Sequence, residues 1–293
     1  MSTDLLAESF ETYRPHLRTV AYRVLGSASD AEDAVQDAWV RAQAAGTDGV
    51  ENLAGWLTTI VGRVALNLLR SRASRREDGW GSRLPDPVVA DDVDHPERRA
   101  VTSDELGTAL LVVLDALTPA ERVAFVLHDQ FTVPFEDLAP IVDRSVAATR
   151  QLASRARRKV RDATPVQDDA ARRREVVGAY LAASQAGDFE GLLALLDPDV
   201  VLRVDYGAGG LSRLLRGAAA VAEQAALHFG TARGSRLALV NGSPGLVTAA
   251  GDGTVHAVLA FTVRAGRVTG IDILSDRDRL AALDAPEAVP GRG

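Results

Sequence analysis

Hydrophobic residues follow two different spacings along the chain, and the change falls near residue 170. Up to about residue 162, apolar residues recur at intervals of three and four, which is the spacing of amphipathic helices. Beyond residue 196, short segments alternate apolar and polar residues, which indicates strands. Helices followed by strands predict all-α parts first and a separate α+β domain behind them.

The α+β part can be predicted element by element. We expect helices at about 170–186, 190–196 and 214–229. We expect strands, paired in an antiparallel sheet, at 200–204, 236–240, 246–250, 255–263 and 268–274.

Two helices of the first part have clear start signals. Ser29 with Glu32 three residues later predicts a capping box, in which each side chain bonds the other's backbone N–H. Thr118 and Glu121 repeat this spacing, with Pro119 suited to the first turn. A further long amphipathic helix is expected at 56–72.

Residues 135–161 have the outline of a helix-turn-helix. A short apolar helix at 135–142 is followed by a tight turn at Asp143 and a longer helix that opens at Ser145. Aspartate tolerates the positive φ of such a turn, whereas Pro140 removes one helical hydrogen bond. This pattern favours DNA binding; the alternative is a solvated basic helix on an ordinary bundle.

Connecting segments divide the chain. Glycine, proline and acidic residues between 77 and 101 predict an extended linker, and Thr164-Pro165 begins a second one. The predicted parts are a helical domain at 1–76, a linker at 77–101, a helix-turn-helix domain at 102–162, a linker at 163–169, the α+β domain at 170–284 and a tail at 285–293.

Composition narrows the class of protein. The 293 residues include no cysteine, which excludes disulfides, thiolate metal sites and a cysteine nucleophile. No uncharged apolar run reaches 18 residues, and no signal peptide is recognisable, so we expect a cytoplasmic protein without membrane contact. The net charge of −7 argues weakly against nucleic-acid binding.

Basic residues nevertheless cluster in two places. Neither cluster is interrupted by an acid, and both lie on predicted helices: Arg63, Arg70, Arg72, Arg75 and Arg76, and then Arg150, Arg155, Arg157, Arg158, Lys159 and Arg161. Guanidinium groups fit phosphates and guanine edges, so these clusters are candidate nucleic-acid surfaces.

Four segments, in their order along the chain, resemble the extracytoplasmic-function (ECF) group of bacterial RNA polymerase sigma factors. Residues 30–41 (Asp-Ala-Glu-Asp-Ala-Val-Gln-Asp-Ala-Trp-Val-Arg) are similar to region 2, and 56–72 to the promoter-melting segment after it. Residues 117–125 and 146–158 are similar to region 4. The string Arg-Gln-Leu-Ala-Ser-Arg-Ala-Arg at 150–157 resembles the sigma-J-like subgroup, which carries a SnoaL-like, cone-shaped α+β extension.

The resemblance implies three sets of contacts. The clamp helices of the largest polymerase subunit would bind Asp33, Gln36 and Asp37, and the flap would bind region 4. The −10 promoter element would contact Arg63, Asn67, Arg70 and Arg72. The −35 element would contact Ser145, Ala148, Arg150, Gln151, Arg155 and Arg158. Relatives carry asparagine or another polar residue at the position of Arg63.

Two further motifs imply regulation in cis by the extension. The subgroup has a linker motif similar to Leu84, Pro85, Asp86 and Pro87, and an aspartate–glycine loop similar to Asp205, Gly207 and Gly209. We expect the loop to contact the linker; the alternative is a plain strand-to-helix turn. We expect no separate anti-sigma protein and a monomer when free.

No catalytic residue, cofactor or metal is expected. Two other functions stay open on the residues alone. The first is a SnoaL-like isomerase or hydrolase with Asp/His chemistry, for which the candidates are His228, His256, Asp205 and Asp272. The second is a ligand-sensing repressor with a helix-turn-helix domain.

Overall fold

A computed structural model describes residues 3–75, 84–91, 113–114, 117–163, 168–207, 212–227 and 232–283. The chain forms two compact units. The first unit joins residues 1–80 to 113–164, and the second joins 81–112 to 165–293. The predicted tail at 285–293 lies outside the described residues.

Three long helices begin the first unit: α1 (Thr3–Leu25), α2 (Ala28–Ala45) and α3 (Leu53–Arg75). The predicted capping box at Ser29 is wrong, because Ser27 caps α2 and accepts the N–H of Asp30 at 3.3 Å. Glu32 is instead 2.7 Å from Arg14 of α1, so its carboxylate joins two helices.

The helix-turn-helix follows in the same unit as α4 (Pro119–Phe125), a π-helical turn (Val126–Gln130), α5 (Phe135–Val142) and α6 (Val146–Ala163). The predicted capping box at Thr118 and Glu121 is confirmed, with both bonds present. Asp143 has φ 57°, the left-handed conformation expected of the turn. Thr149, Leu152, Ala153, Ala156 and Val160 form the buried face of α6.

The helix-turn-helix packs directly on α3. A Cβ atom at Gly62 would lie 2.6 Å from Cδ1 of Leu127 and 3.7 Å from Cδ1 of Ile141. The missing side chain therefore lets the two backbones approach closely. Thr58 of α3 and Phe131, which follows the π-helical turn, both contact His16 of α1, which closes the same seam.

Within the described residues, the second unit is built on a seven-stranded sheet in the order β1-β4-β5-β6-β7-β2-β3. The strands are β1 (Val89–Asp91), β2 (Leu196–Asp205), β3 (Arg213–Arg216), β4 (Ser235–Val240), β5 (Ser243–Ala249), β6 (Val255–Arg264) and β7 (Arg267–Leu274). The helices are α7 (Ala170–Ala186), α8 (Phe189–Leu195), α9 (Ala218–Leu227) and α10 (Arg277–Ala281).

The α+β class is confirmed, with two local corrections. The predicted helix at 214–229 is wrong at its start, because Arg213–Arg216 pairs with β2 as a strand. The sheet is mixed, because β2 and β7 run parallel. Val177, Tyr180, Leu192 and Phe261 belong to the core between α7–α9 and one face of the sheet.

A second, smaller core lies on the sheet with Val89 of β1 and Leu280 of α10. The predicted linker thus supplies a strand to the second unit: Val89 pairs with Val240, and Ala90 with Leu239. Of the helices that the structure describes, none is long and apolar enough to cross a membrane.

Candidate nucleic-acid interface

The outward face of α6 carries polar and basic side chains. Gln151, Arg155 and Arg158 are all exposed. Ser145 caps the helix and accepts the N–H of Ala148 at 3.2 Å, and the side chains around this end are short. The N-terminal end of α6 can therefore approach base edges while the arginines reach phosphates or guanine.

Arg150 lies to one side of this face. Its guanidinium sits 5.6 Å from the centre of the Phe135 ring and 3.0 Å from Glu136. Both partners belong to the first turn of α5, so Arg150 is held at the edge of the helix-turn-helix. The ion pair is exposed and easily exchanged for a phosphate.

A buried carboxylate supports α6 from behind. Glu121 is 2.9 Å from Lys159, the only lysine of the chain, and 4.0 Å from Arg155. Burial raises the pKa of Glu121, but hydrogen bonds from Lys159 and Thr118 outweigh it and hold the pKa below its ordinary value. Glu121 thus joins the first helix of the domain to the recognition helix as a carboxylate.

Three of the four candidate −10 residues share one exposed face of α3: Arg63, Asn67 and Arg70. Arg72 is placed elsewhere, in an ion pair with Asp30 and 3.3 Å from the backbone oxygen of Leu25. The structure therefore brings Arg63, Asn67 and Arg70 together and separates Arg72 from them.

The exposed face of α3 that carries Arg63, Asn67 and Arg70 contacts the helix-turn-helix through Arg63. Nη2 of Arg63 donates to the backbone oxygen of Pro140 at 3.3 Å. The candidate −10 surface and α5 are therefore in contact within the first unit.

An acidic stripe runs along α2. Asp33, Gln36 and Asp37 are exposed at helical spacing, and Asp37 has one weak partner, Arg41 at 3.8 Å. Val40 continues the stripe and is 62% exposed, which is unusual for a large apolar side chain. Val40 belongs to the region 2 motif but is not among the contact residues predicted from the sequence. Its position three residues after Asp37 is the sequence signal for a mixed apolar and acidic surface.

In the second unit, the predicted aspartate loop binds the linker. Asp205 is buried, and its Oδ2 accepts the N–H of Leu84 at 2.8 Å and Nη1 of Arg279 at 2.7 Å. Nε of Arg279 also donates to Asp86 at 2.5 Å, and Nη2 donates to the oxygen of Leu84 at 2.5 Å. We call Leu84, Asp86, Asp205 and Arg279 the linker clamp.

The rest of the motif extends this contact. Pro85 and Pro87 are buried, and Val88 exchanges two hydrogen bonds with Asn241 at 2.6 and 2.8 Å before β1 begins. Gly207 has φ 82°, and a Cβ atom there would collide with Asp276. Gly209 lies outside the described residues.

Asp/His chemistry finds little support among the described residues. Asp272 is buried against Arg203, with Nε to Oδ1 at 2.5 Å; burial raises its pKa, and Arg203 only partly offsets that. Asp205 is committed to the clamp, His256 is exposed, and His228 lies outside the described residues. In the described part of the chain, acidic and histidine side chains form no cluster that could hold a metal.

Comparison with protein families defines the class. The model of Sigma-70 region 2 matches residues 9–75, and the model of Sigma-70 region 4 matches residues 108–160. The first match covers α1–α3, and the second covers the helix-turn-helix.

Individual relatives show which group of sigma factors the chain is similar to. The chain is 40% identical to ECF RNA polymerase sigma factor SigJ of Mycobacterium tuberculosis, over 97% of each chain. It is 32% identical to a probable ECF sigma factor, SigI, of the same species, over 96% of this chain and 97% of the relative. The crystal structure of M. tuberculosis SigJ matches with a TM-score of 0.72 and 36% identity, covering 96% of this chain and all of that one.

This chain belongs to the ECF sigma factors of RNA polymerase. It binds core RNA polymerase and promoter DNA, directs transcription initiation and is not an enzyme. The two alternatives, a SnoaL-like enzyme and a ligand-sensing repressor, are not favoured.

Proposed function

We propose that this sigma factor uses three separate surfaces of its first unit and is restrained in cis by its second. The α2 stripe docks on the clamp helices of the largest polymerase subunit. The arginine face of α3 binds the −10 element, and α6 reads the −35 element, with region 4 on the flap. The observation that carries the proposal is that all three surfaces are solvent-facing along most of their length.

The α2 stripe suits a protein partner better than DNA. Carboxylates at Asp33 and Asp37 repel phosphates, whereas they attract a basic protein surface and set its register. The exposed Val40 supplies apolar area beside these carboxylates.

The first unit must open before it can use a promoter. The −10 and −35 elements lie about 85 Å apart along B-DNA, from about 25 base pairs at roughly 3.4 Å each. In the first unit, Arg63 of α3 is 3.3 Å from Pro140 of α5. We therefore infer a closed form, in which α3 holds the helix-turn-helix, and an open form bound to polymerase.

The linker clamp controls how easily that opening occurs. Residues 76–118 connect α3 to α4, and in the open form this connection has to reach from the −10 element to the −35 element. With residues 84–91 bound to the second unit through the clamp and β1, less of the connection is free. The second unit thereby takes the place of a separate anti-sigma protein, and we expect the free chain to be monomeric and cytoplasmic, where the polymerase is.

The docking surface can be tested with the full chain and core polymerase. We expect Asp33→Asn combined with Gln36→Ala to weaken core binding at least tenfold and to abolish run-off transcription, because the charge complementarity is lost. Asp48→Asn is the matched control, since Asp48 is an exposed acid just beyond the same helix.

The result has a clear reading. Core binding that is unchanged in the double variant, or reduced equally by Asp48→Asn, would contradict the docking surface.

Transcription from a chain that ends near residue 165 tests the role of the second unit. Activity and promoter occupancy identical to those of the full chain would contradict regulation in cis.

A further inference from the structure

The second unit contains a cavity that is not part of the three proposed contact surfaces on the first unit. It lies between α7, α9 and the sheet and has a volume of about 200 Å³. Its body is apolar and includes Leu202, Val204, Leu246 and Leu259. For scale, an engineered cavity of roughly 150 Å³ in another protein stays dry and binds benzene.

Two hydroxyl groups from consecutive turns of α7 reach this cavity. Tyr180 and Ser184 line it and are buried, and the Tyr180 ring is fixed edge-on against Phe261, with centroids 5.1 Å apart. Burial raises the pKa of Tyr180 to about 12, so its hydroxyl keeps its proton at neutral pH.

The Ser184 hydroxyl has no hydrogen bond of ordinary geometry among the described residues. Ser184 partly offsets the rise in the pKa of Tyr180, so the two hydroxyl groups lie near each other. A buried hydroxyl without a partner costs free energy, so a group inside the cavity that bonds Ser184 would stabilise the domain.

The described residues that line the cavity carry no formal charge. Among the described residues that line it, none is Asp, Glu, Lys or Arg, and the titratable His256 is exposed. A charged guest would lose its hydration without gaining a counter-charge. The free-energy cost of burying an unpaired charge is large, so we do not expect ions to bind in this cavity. The other polar pair, Ser235 and Thr248, is already satisfied by a mutual bond of 2.7 Å.

We propose that this cavity binds a small uncharged molecule with an apolar body of one or two rings and one hydroxyl or carbonyl group, which bonds Tyr180 and Ser184. The cavity lining also includes Tyr206, Gln224 and Ser275. Tyr206 adjoins Asp205 in sequence, and the N–H of Ser275 donates to the backbone oxygen of Asp205 at 2.8 Å. The guest therefore contacts the strand ends that carry the linker clamp.

The site can be probed in the full-length chain with two molecules of one shape. 2-Naphthol is neutral at pH 7, and 2-naphthoate carries a carboxylate in place of the hydroxyl. Saturation-transfer NMR and the thermal midpoint measure binding. We expect 2-naphthol to bind and to raise the midpoint, and 2-naphthoate to bind at least tenfold more weakly.

Variants locate the bound probe. Ala225→Leu fills the cavity from α9 and should weaken 2-naphthol at least tenfold, whereas Ala219→Leu makes the same change on the exposed side of α9 and should leave binding unchanged. Tyr180→Phe keeps the ring and removes one hydroxyl, and it should weaken 2-naphthol about fivefold.

The proposal is overturned if 2-naphthol does not bind, if 2-naphthoate binds as tightly, or if Ala225→Leu binds as well as the parent chain. Should Ala225→Leu fail to fold, Tyr180→Phe decides, and unchanged affinity in that variant overturns the proposal. Neither result bears on promoter binding, which resides in the first unit.

Discussion

The exposed arginines of α6 and Arg279 of α10 are the same kind of side chain in opposite surroundings. Arg155 and Arg158 on α6 are exposed, and Glu121, the acid that pairs with Arg155 among the described residues, is 4.0 Å away. Arg279 on α10 has a side chain only 9% exposed and holds two carboxylates with exposures of 6% and 3%. One set is available to an incoming phosphate, whereas the other is fully used within the protein.

The difference shows how burial assigns an arginine its task. Exposed guanidinium groups contribute little to folding and bind DNA at low cost, because they exchange water for phosphate. A buried guanidinium between Asp86 and Asp205 must stay paired, because an uncompensated buried charge is severely destabilising. The linker clamp is therefore either fully formed or released, which is the behaviour needed of a restraint.

The largest effect should come from removing the clamp cation. We expect Arg279→Met to destabilise the clamp by about 3–5 kcal/mol, because it leaves Asp86 and Asp205 buried without a counter-charge. Hydrogen exchange of the amides at 84–91 in the full chain measures this, and those amides should lose protection.

A neighbour on the same short helix supplies the control. Arg277 is exposed, so Arg277→Met should leave exchange at 84–91 as it is in the parent chain. Asp86→Asn separates linker release from unfolding of the sheet, since it alters only the linker's side of the clamp. If the linker amides stay protected in both Arg279→Met and Asp86→Asn, the clamp does not hold the linker.

The next effect concerns the seam between α3 and the helix-turn-helix. Gly62→Leu would push α3 away, because even a Cβ atom there meets Leu127 at 2.6 Å. Overpacking of this kind costs about 1–3 kcal/mol, which corresponds to about a 5- to 150-fold shift towards the open form. Binding of the full chain to a −10/−35 promoter fragment with core polymerase should strengthen accordingly.

Gly251→Leu makes the same exchange at a position where a Cβ atom meets nothing, and it should not affect promoter binding. Weaker promoter binding by a folded Gly62→Leu variant would show that the seam supports activity and does not restrain it.

Local signals predicted the helices well and the long-range contacts poorly. Thr118 and Glu121 define a helix start because both bonding partners lie within four residues. The sequence alone does not identify Arg279, because its partner Asp86 lies 193 residues earlier in the chain. Arg279 itself lies on one short helix, so its local sequence pattern gives no signal of this contact. The parallel pairing of β2 with β7 is likewise invisible in either strand's own pattern.

The candidate sites divide in the same way. The resemblance to sigma factors named Arg63, Asn67 and Arg70 as candidates, and the structure places them on one exposed face of α3. Arg72 is two residues from Arg70 and faces Asp30, which a count of basic residues does not reveal. Burial, which depends on the whole fold, separates the two kinds of arginine.

Within α6 itself, a polar and a basic residue should behave differently towards DNA. We expect Gln151→Ala to cost about 1–3 kcal/mol at one base position and to relax the preference there, since its amide can pair with a base edge. We expect Arg158→Ala to weaken all sequences alike and to lower the salt slope by about one. Competition binding with single-base −35 variants at several salt concentrations measures both.

The opposite pattern would change the assignment of the two residues. If Arg158→Ala alters base preference and Gln151→Ala lowers only the salt slope, the helix lies on the DNA in another orientation. Arg264→Ala, a substitution of an exposed arginine in the second unit, controls for general loss of positive charge.

The smallest effect concerns Glu121, the buried carboxylate of the helix-turn-helix. It tests whether this buried charge stabilises its domain as the buried charges of the linker clamp do. The folded-state pKa of Glu121 is lowered, so its ionisation stabilises the helix-turn-helix above the unfolded-state value, and this stabilisation is lost as pH falls through the folded-state pKa. Glu121→Gln lacks that contribution. The thermal midpoints of the parent chain and Glu121→Gln, followed by circular dichroism, should therefore differ at pH 7 and converge towards pH 3.

Glu136→Gln affects an exposed pair with Arg150 and should change the midpoint little at any pH. A difference between the parent chain and Glu121→Gln that stays constant with pH would mean that Lys159 and Thr118 hold this side chain by geometry alone, and that only the linker clamp depends on buried charge.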